Sequence, residues 1–254
     1  MPPAPSYRSL QPEKIVETIA ILVRRIDERF PGSGLSNVAR EVQQIAKEAV
    51  VRAEAIRRPN IPLRIGMGVL AAAIVALLVM LILRLRFSDE LLQLEHFVQA
   101  VDSSLASLVV IGAVMVFLFT LELRRKRNRA LEAVHELRAL AHIVDMHQLT
   151  KDPERVTGRG GSTDSSPKRS MTPFELGRYL DYCSELLSII SKIGALYVQN
   201  FTDTVALEAV DQLTNLTNGL ARNVWQKIMI LEQMVGPTTS ADANRTPATT
   251  DPAV

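Results

Sequence analysis

Residues 65–83 read IGMGVLAAAIVALLVMLIL and contain no charged residue. The stretch is apolar on every face, whereas a helix on the surface of a soluble core would carry a polar stripe. At 1.5 Å per residue, about 20 apolar residues match the ~30 Å hydrocarbon layer of a bilayer. We therefore predict a membrane-spanning helix over residues 61–86.

A second apolar run covers residues 104–121 and has no charge before Glu122. It predicts a second span over residues 104–123. The first run starts too far along the sequence for a cleaved signal peptide, so we expect both spans to remain in the mature chain. Within the first span, Gly68, Ala72 and Ala76 form a strip of small residues that predicts helix packing, within the chain or between copies.

The orientation follows from the basic residues beside the two spans. Before the first span the chain carries Lys47, Arg52, Arg57, Arg58 and Arg64, and after the second it carries Arg124, Arg125, Lys126, Arg127 and Arg129. The positive-inside rule then predicts that both termini are cytoplasmic, in the inner (plasma) membrane of a bacterium. We expect the second cluster to contact lipid headgroups rather than nucleic acid, because no aromatic residues are interleaved for base stacking.

Residues 87–103 would connect the spans outside the cell. Ser88 is a plausible N-cap, and an apolar face follows it, so the segment predicts a short interfacial helix or an extension of the second span.

Residues 1–60 predict a helical hairpin, with Pro12 opening one helix, Ser36 capping the next and Arg52 interrupting a heptad seam. The second span is expected to continue as a membrane-proximal helix over 124–150, followed by a disordered linker over 151–171. Residues 172–236 predict an antiparallel hairpin that starts with a Thr172–Glu175 capping box, and residues 237–254 a disordered tail. The apolar face of the last hairpin is wide, so a third helix or a second subunit should cover it. The predicted fold class is an all-α membrane protein with two transmembrane helices and coiled-coil-like cytoplasmic hairpins.

The sequence holds few candidates for chemistry. His135, His142 and Asp145 share a helix face at spacings that metal ligands use, but no other segment supplies a further ligand. We therefore expect exposed or capping polar residues there and predict no cofactor. Cys183, the single cysteine, lies in the middle of the apolar face of a helix. This position predicts a buried, inert thiol in a reduced compartment. Trp225 is predicted to pack within the last hairpin.

These features favour a membrane-anchored helical scaffold without catalytic activity. Its partners would be the lipid bilayer and either copies of itself or another protein bound through the cytoplasmic helices. An oligomeric two-span pore, lined by residues such as Ser104, Ser107, Gly112 and Thr120, is the alternative. A metal-dependent activity through His135, His142 and Asp145 is a third possibility.

Overall fold

The computed structural model describes residues 8–58, 61–86, 94–156 and 171–235. Within α3 and α4, defined below, it describes the side chains of residues 61, 65–77, 79–80, 102, 105–106 and 108–149. Every regular element in the described ranges is an α-helix, which confirms the all-α part of the predicted fold. The helices are α1 (Pro12–Arg29), α2 (Gly34–Arg57), α3 (Ile61–Arg86), α4 (Leu94–Leu149), α5 (Pro153–Val156), α6 (Pro173–Val198) and α7 (Thr204–Val235).

Over the ranges described above, no helix combines the length and the apolar character needed to cross a membrane.

The chain divides into two compact units. One contains Met1–Ala53 and Leu131–Val254, and we call it the bundle unit; the other is Glu54–Ala130, and we call it the apolar unit. Helix α4 belongs to both and is continuous over 56 residues, about 84 Å. The predicted continuation of the helix through the basic cluster is therefore confirmed, while residues 87–93 of the predicted connection lie outside the described residues.

Helix α6 is the central element of the bundle unit. Its buried residues include the consecutive pairs Leu186–Leu187 and Ile189–Ile190, so the helix is covered on several sides. Arg25 of α1 pairs with Glu185, and a Cβ placed on Gly194 would meet both Leu213 of α7 and Leu137 of α4. The excess apolar surface predicted for this hairpin is thus covered by α1 and α4 of the same chain.

Cross-helix contacts fix the helix directions within the bundle unit. Helix α7 runs antiparallel to α6, because Ser191 bonds Thr214 while Gly177 lies beside Leu231. Helix α1 also runs antiparallel to α6, since Gln199 near the end of α6 bonds the backbone of Leu10.

Helix α2 pairs with the last part of α4. Arg52 lies 2.7 Å from Glu136, and Gly34 packs against His147, so the two helices are antiparallel. Arg52, which interrupts the apolar seam of α2, therefore has a structural partner on α4. Because Ala53 and Leu131 are the residues where the chain leaves and re-enters this unit, both connections lie at the same end of the bundle.

The helix starts follow from local chemistry. Pro12 opens α1, and Thr172 forms the predicted capping box with Glu175 at the start of α6. The prediction that Ser36 caps α2 is wrong. The Ser33 hydroxyl accepts the backbone N–H of Ser36 at 3.2 Å, while Ser36 is buried and donates its own hydroxyl to Asp27. The positive φ of Gly32 (68°) supplies the turn before this cap.

Two further predictions, for Trp225 and for the linker at 151–171, differ from the structure. Trp225 is 56% exposed, so the prediction that it packs within the hairpin is wrong; its neighbour Val224 takes the buried position. The segment predicted as a linker begins with the helical turn α5, whose Pro153 is buried and which contacts α6 and α7. The remainder of that linker, at 157–170, and the predicted tail at 237–254 lie outside the described residues.

Candidate functional site

The histidine cluster of α4 does not form a convergent site. His135 and His142 are exposed, and Asp145 instead accepts a hydrogen bond of 2.6 Å from Nε2 of Gln148. His147 faces another way and packs against Gly34. Over the part of the chain that the structure describes, no group of three or more His, Cys, Asp or Glu side chains is placed to hold a metal ion.

The end of α4 is instead held by a lysine from α7. Nζ of Lys227 donates to the backbone carbonyl of Gln148 at 2.8 Å, which satisfies an acceptor that a helix C-terminus leaves open. Burial lowers the pKa of Lys227, and the carboxylates of Asp152 and Asp145 offset part of that effect. The side-chain oxygen of Gln148 is buried and has no hydrogen-bond partner among the described residues. The contact joins residues 79 positions apart, so no local sequence signal could have indicated it.

Cys183 is fully buried, as the sequence predicted. Burial raises the pKa of its thiol to about 12. Since the thiolate is the reactive form, this pKa favours the unreactive thiol at neutral pH.

The strip of small residues on α3 faces outward. Gly68, Ala72 and Ala76 are exposed, and a Cβ on Gly68 would meet no atom of another described segment within 4 Å. The half-buried positions of this helix lie on the opposite side, at Met67, Leu70, Ala71 and Ile74. The described contacts of the chain do not use the strip, so packing between copies stays a prediction.

The predicted pore-lining residues are only partly described. Thr120 donates its hydroxyl to the carbonyl of Val116 at 2.7 Å, within its own helix. Gly112 is exposed, and a Cβ placed on it would meet no atom of another described segment within 4 Å. The side chains of Ser104 and Ser107 lie outside those described.

The basic cluster after the second apolar run is largely accessible. Arg124, Arg125 and Arg129 are exposed, whereas Lys126 is half-buried and pairs with Glu122 at 3.1 Å. Arg127 is half-buried. Three guanidinium groups on α4 are therefore available to bind anions at the edge of the apolar unit.

Between α1 and α6 the bundle unit has a groove and a smaller depression. The groove has a volume of about 720 Å³. Its lining includes the apolar Leu10, Ile15 and Ile189 and the charged Lys14, Glu185 and Lys192. The smaller, of about 370 Å³, is lined by Arg25, Glu28, Arg29, Arg178 and Tyr182. We call the smaller depression, together with the adjacent Phe174, the arginine–aromatic pocket.

The arginine–aromatic pocket is built by two stripes of side chains spaced four residues apart. Phe174, Arg178 and Tyr182 follow one another along α6, and Arg25 and Arg29 face them from the antiparallel α1. The guanidinium groups of Arg25 and Arg178 both lie 5.3 Å from the ring centroid of Tyr182, and that of Arg29 lies 5.4 Å from the ring of Phe174. The four-residue spacings are visible in the sequence, but they do not indicate a pocket until α1 and α6 are known to pack together.

Comparison of the chain with protein-family models, with curated proteins and with solved structures found no match.

Proposed function

We propose that the chain is a membrane-anchored helical scaffold. In this proposal, residues 61–86 and 104–123 cross the plasma membrane of a bacterium and both termini lie in the cytoplasm. The bundle unit would bind a protein partner, or another copy of the chain, at the cytoplasmic face.

The observation that carries the proposal is the exposure of apolar side chains around both helices of the apolar unit. Along α3, Val69 is 65% exposed, and Val75, Leu77 and Met80 are similarly uncovered. Along α4, Val110, Val116, Phe117 and Phe119 are exposed as well. Contiguous apolar surface of this extent marks a membrane or protein interaction site. We propose lipid as the cover, because the sequence has no charged residue at 65–83 or at 104–121.

The basic residues support the proposed orientation. Arg57 and Arg58 precede α3, and the exposed Arg124, Arg125 and Arg129 follow the second apolar run. Arginines at both cytoplasmic edges would hold anionic headgroups, at about 1 kcal/mol for each residue near the surface.

The bundle unit supports the binding role. It buries many of its own apolar side chains and presents a groove and a smaller depression on its surface. A stable bundle with accessible grooves has the properties of an interaction module.

Cell fractionation tests the anchoring. Membranes washed at alkaline pH should retain the full chain, and only detergent should release it. In sealed cells, external protease should leave the C-terminus intact. Release by the alkaline wash, or trimming of the C-terminus from outside, would contradict the proposal.

Crosslinking tests the binding role. Short-range amine crosslinking in intact cells should give a discrete adduct that contains the chain, as a homo-oligomer or a heteromeric complex. The matched control is a chain with Leu187→Asp, which places a charge in the core of the bundle and should abolish the adduct. A wild-type chain that remains monomeric under these conditions would rule out the scaffold.

A further inference from the structure

Helix α7 exposes three large apolar side chains on one face. Leu207, Trp225 and Met229 are all exposed, while Val224 and Leu231 take the buried side of the helix. Leu207 and Trp225 are separated by five complete turns, so they lie at the same angle around the helix axis. Met229 lies one turn beyond Trp225. The face is therefore apolar at both of its ends, and we call this side of the helix, from Leu207 to Met229, the α7 face.

The middle of the α7 face is polar. Asp211, Asn218 and Arg222 are exposed and lie within about 40° of one another around the helix axis. Asp211 accepts a hydrogen bond from the side-chain amide of Asn215 at 3.1 Å, and no described residue forms an ion pair with Asp211 or with Arg222. The two cannot pair with each other, because about 16 Å of helix separates them. Both charges are thus open to groups from outside the chain.

The apolar ends of the α7 face are placed symmetrically about Asn218. Leu207 and Met229 lie equally far from Asn218, on opposite sides of it. If a second copy of α7 is turned about a twofold axis at Asn218, Leu207 of each copy therefore lies opposite Met229 of the other. A twofold axis forms this contact twice, because the same patch serves on both copies.

The charges of the α7 face fit the same antiparallel arrangement. Asp211 lies level with Trp225 of the second copy. It is about 4.5 Å along the axis from Arg222 of that copy, within reach of the long guanidinium side chain. A parallel pair would instead place Asp211 opposite Asp211 and Arg222 opposite Arg222, and such like-charge contacts are unfavourable. The charge pattern therefore favours antiparallel copies over parallel ones.

The remaining acidic residues of α7 do not oppose this arrangement. Glu208 lies level with Ile228 of the second copy, and Glu232 lies level with Thr204, so no acidic residue of α7 faces another. The α7 face itself holds one acidic and one basic residue. A surface without excess charge selects neither an acidic nor a basic partner, whereas opposite charges on the two sides of a twofold axis select a second copy.

We propose that α7 is the interface of a homodimer, in which the α7 face packs antiparallel against the same face of a second copy. Asp211 pairs with Arg222 across the interface, and the contacts between Leu207 and Met229 close its two ends. This inference rests on the proposed scaffold role and selects a second copy of the chain as the partner. The contact is about 33 Å long and one helix wide, smaller than the ~1,200–2,000 Å² of stable interfaces. We therefore expect a dimer that exchanges, and a covalent trap is the appropriate test.

Disulfide trapping of the full chain in a neutral detergent tests the interface. Asn218→Cys places a thiol on the twofold axis, where the two copies of the residue face each other at a distance that a disulfide can span. Mild oxidation should convert this variant to a covalent dimer. Asn223→Cys is the matched control, since Asn223 is also exposed but lies about 140° away around the same helix. The Asn218→Cys chain should give at least fivefold more dimer than the control.

A pair of variants tests the direction of the helices. A mixture of Leu207→Cys chains and Met229→Cys chains, one of them carrying an affinity tag, should give a disulfide-linked heterodimer. Met229→Cys chains alone should give little dimer, because residue 229 meets residue 207 of the other copy. Dimer formation by Met229→Cys alone at the level of the mixture would show a parallel pair and overturn the inference.

A charge exchange tests the pairing of Asp211 with Arg222. In the Asn218→Cys chain, Asp211→Arg should lower the dimer yield at least threefold, because it places two arginines together across the interface. Adding Arg222→Asp should restore the yield, since the ion pair is then reversed. Thermal unfolding of these variants should be alike, because both positions are exposed. Failure of the second substitution to restore the yield would overturn the pairing.

The result that overturns the interface as a whole is an equal dimer yield for Asn218→Cys and Asn223→Cys. Crosslinking in cells separates that failure from failure of the scaffold role. If the wild-type chain is crosslinked to a different protein while Asn218→Cys forms no dimer above its control, α7 is not the interface and the scaffold role stands. If the wild-type chain forms no adduct in cells, the scaffold role itself fails.

Discussion

Apolar residues of the same types are buried in the bundle unit and exposed in the apolar unit. In the bundle unit, Ile19, Leu137 and Leu187 are almost completely buried, whereas in the apolar unit Val69, Val110 and Phe117 are exposed. Valines show the contrast within a single residue type. Val51 of the bundle unit is 71% exposed on an otherwise polar helix face, and Val69 is 65% exposed on a helix whose exposed neighbours are also apolar.

The exposure of an apolar side chain therefore has to be interpreted together with the residues around it. A single exposed valine is normal on a soluble protein. A helix that exposes apolar side chains on most of its circumference requires another apolar phase or partner. In the bundle unit the packed helices cover one another's apolar side chains. In our proposal, lipid covers those of the apolar unit.

The largest effect is expected for a cavity in the centre of the bundle. Leu187→Ala should lower the free energy of unfolding of the bundle unit by roughly 3–5 kcal/mol, because a fully buried leucine leaves a cavity when it is truncated. Thermal unfolding followed by circular dichroism measures the loss. Ser188→Ala, at the exposed neighbouring position, is the control and should have little effect. Similar losses for both variants would contradict the central position of α6.

The next prediction tests whether an exposed side chain is surrounded by lipid or by water. Val69→Asp should make the free energy of membrane insertion less favourable by about 3 kcal/mol. It should therefore reduce the fraction of the chain that stays in the membrane after an alkaline wash. Val51→Asp, at a valine of similar exposure, should change that fraction little and alter stability by less than about 1 kcal/mol. If both substitutions have equally small effects, Val69 faces water.

A smaller effect concerns the contact between α6 and α7 at Gly194. A Cβ on Gly194 would lie 2.7 Å from Cδ2 of the buried Leu213, whereas a Cβ on Gly219 would meet no atom within 4 Å. Gly194→Ala should therefore destabilise the bundle by about 1 kcal/mol after its gain in helix propensity, and Gly219→Ala should stabilise it by up to about 1 kcal/mol. Thermal unfolding of the two variants should shift in opposite directions, and an upward shift for Gly194→Ala would show that the helices are not in close contact there.

The smallest effect concerns the first turn of α6. Thr172→Ala should cost about 1 kcal/mol by removing the N-cap, with Thr202→Ala as a control in an exposed turn. The folded-state pKa of Glu175 is lowered by its bonds to Thr172, so its stabilising effect is present above the unfolded-state pKa of ~4.3 and is lost as pH falls through the folded-state value. A pH titration of stability between neutrality and pH 3 should therefore be flatter for Thr172→Ala than for the wild type. Parallel curves would argue against the capping box.

Much of the fold was predictable from the sequence because its signals are local. The capping box at Thr172, the start of α1 at Pro12 and the buried position of Cys183 each depend on residues within one or two turns. Helical periodicity also indicated that the last hairpin needs cover on a further side. It could not indicate that α1 and α4 of the same chain provide that cover, since this depends on contacts between distant segments.

The errors have local physical causes. Ser33 and Ser36 are both hydroxyl residues at the start of α2, and only the backbone geometry after Gly32 decides that Ser33 caps the helix. Trp225 adjoins the buried Val224 in sequence, but one residue turns a helix by about 100°, which places the indole on the surface. The arginine–aromatic pocket was missed because each half of it looks like an ordinary solvated helix face until α1 and α6 are brought together.

The most direct test of the account is the accessibility of spin labels at matched valines. Labels at Val51, Val69 and Val110 would be attached to single introduced cysteines, and the buried Cys183 should not compete because burial raises its pKa to about 12. In reconstituted vesicles, we expect the labels at 69 and 110 to collide with oxygen, which concentrates in lipid, and to be protected from a water-soluble nickel chelate. The label at 51 should show the reverse. Equal nickel accessibility at all three positions would contradict the claim that lipid surrounds the apolar unit.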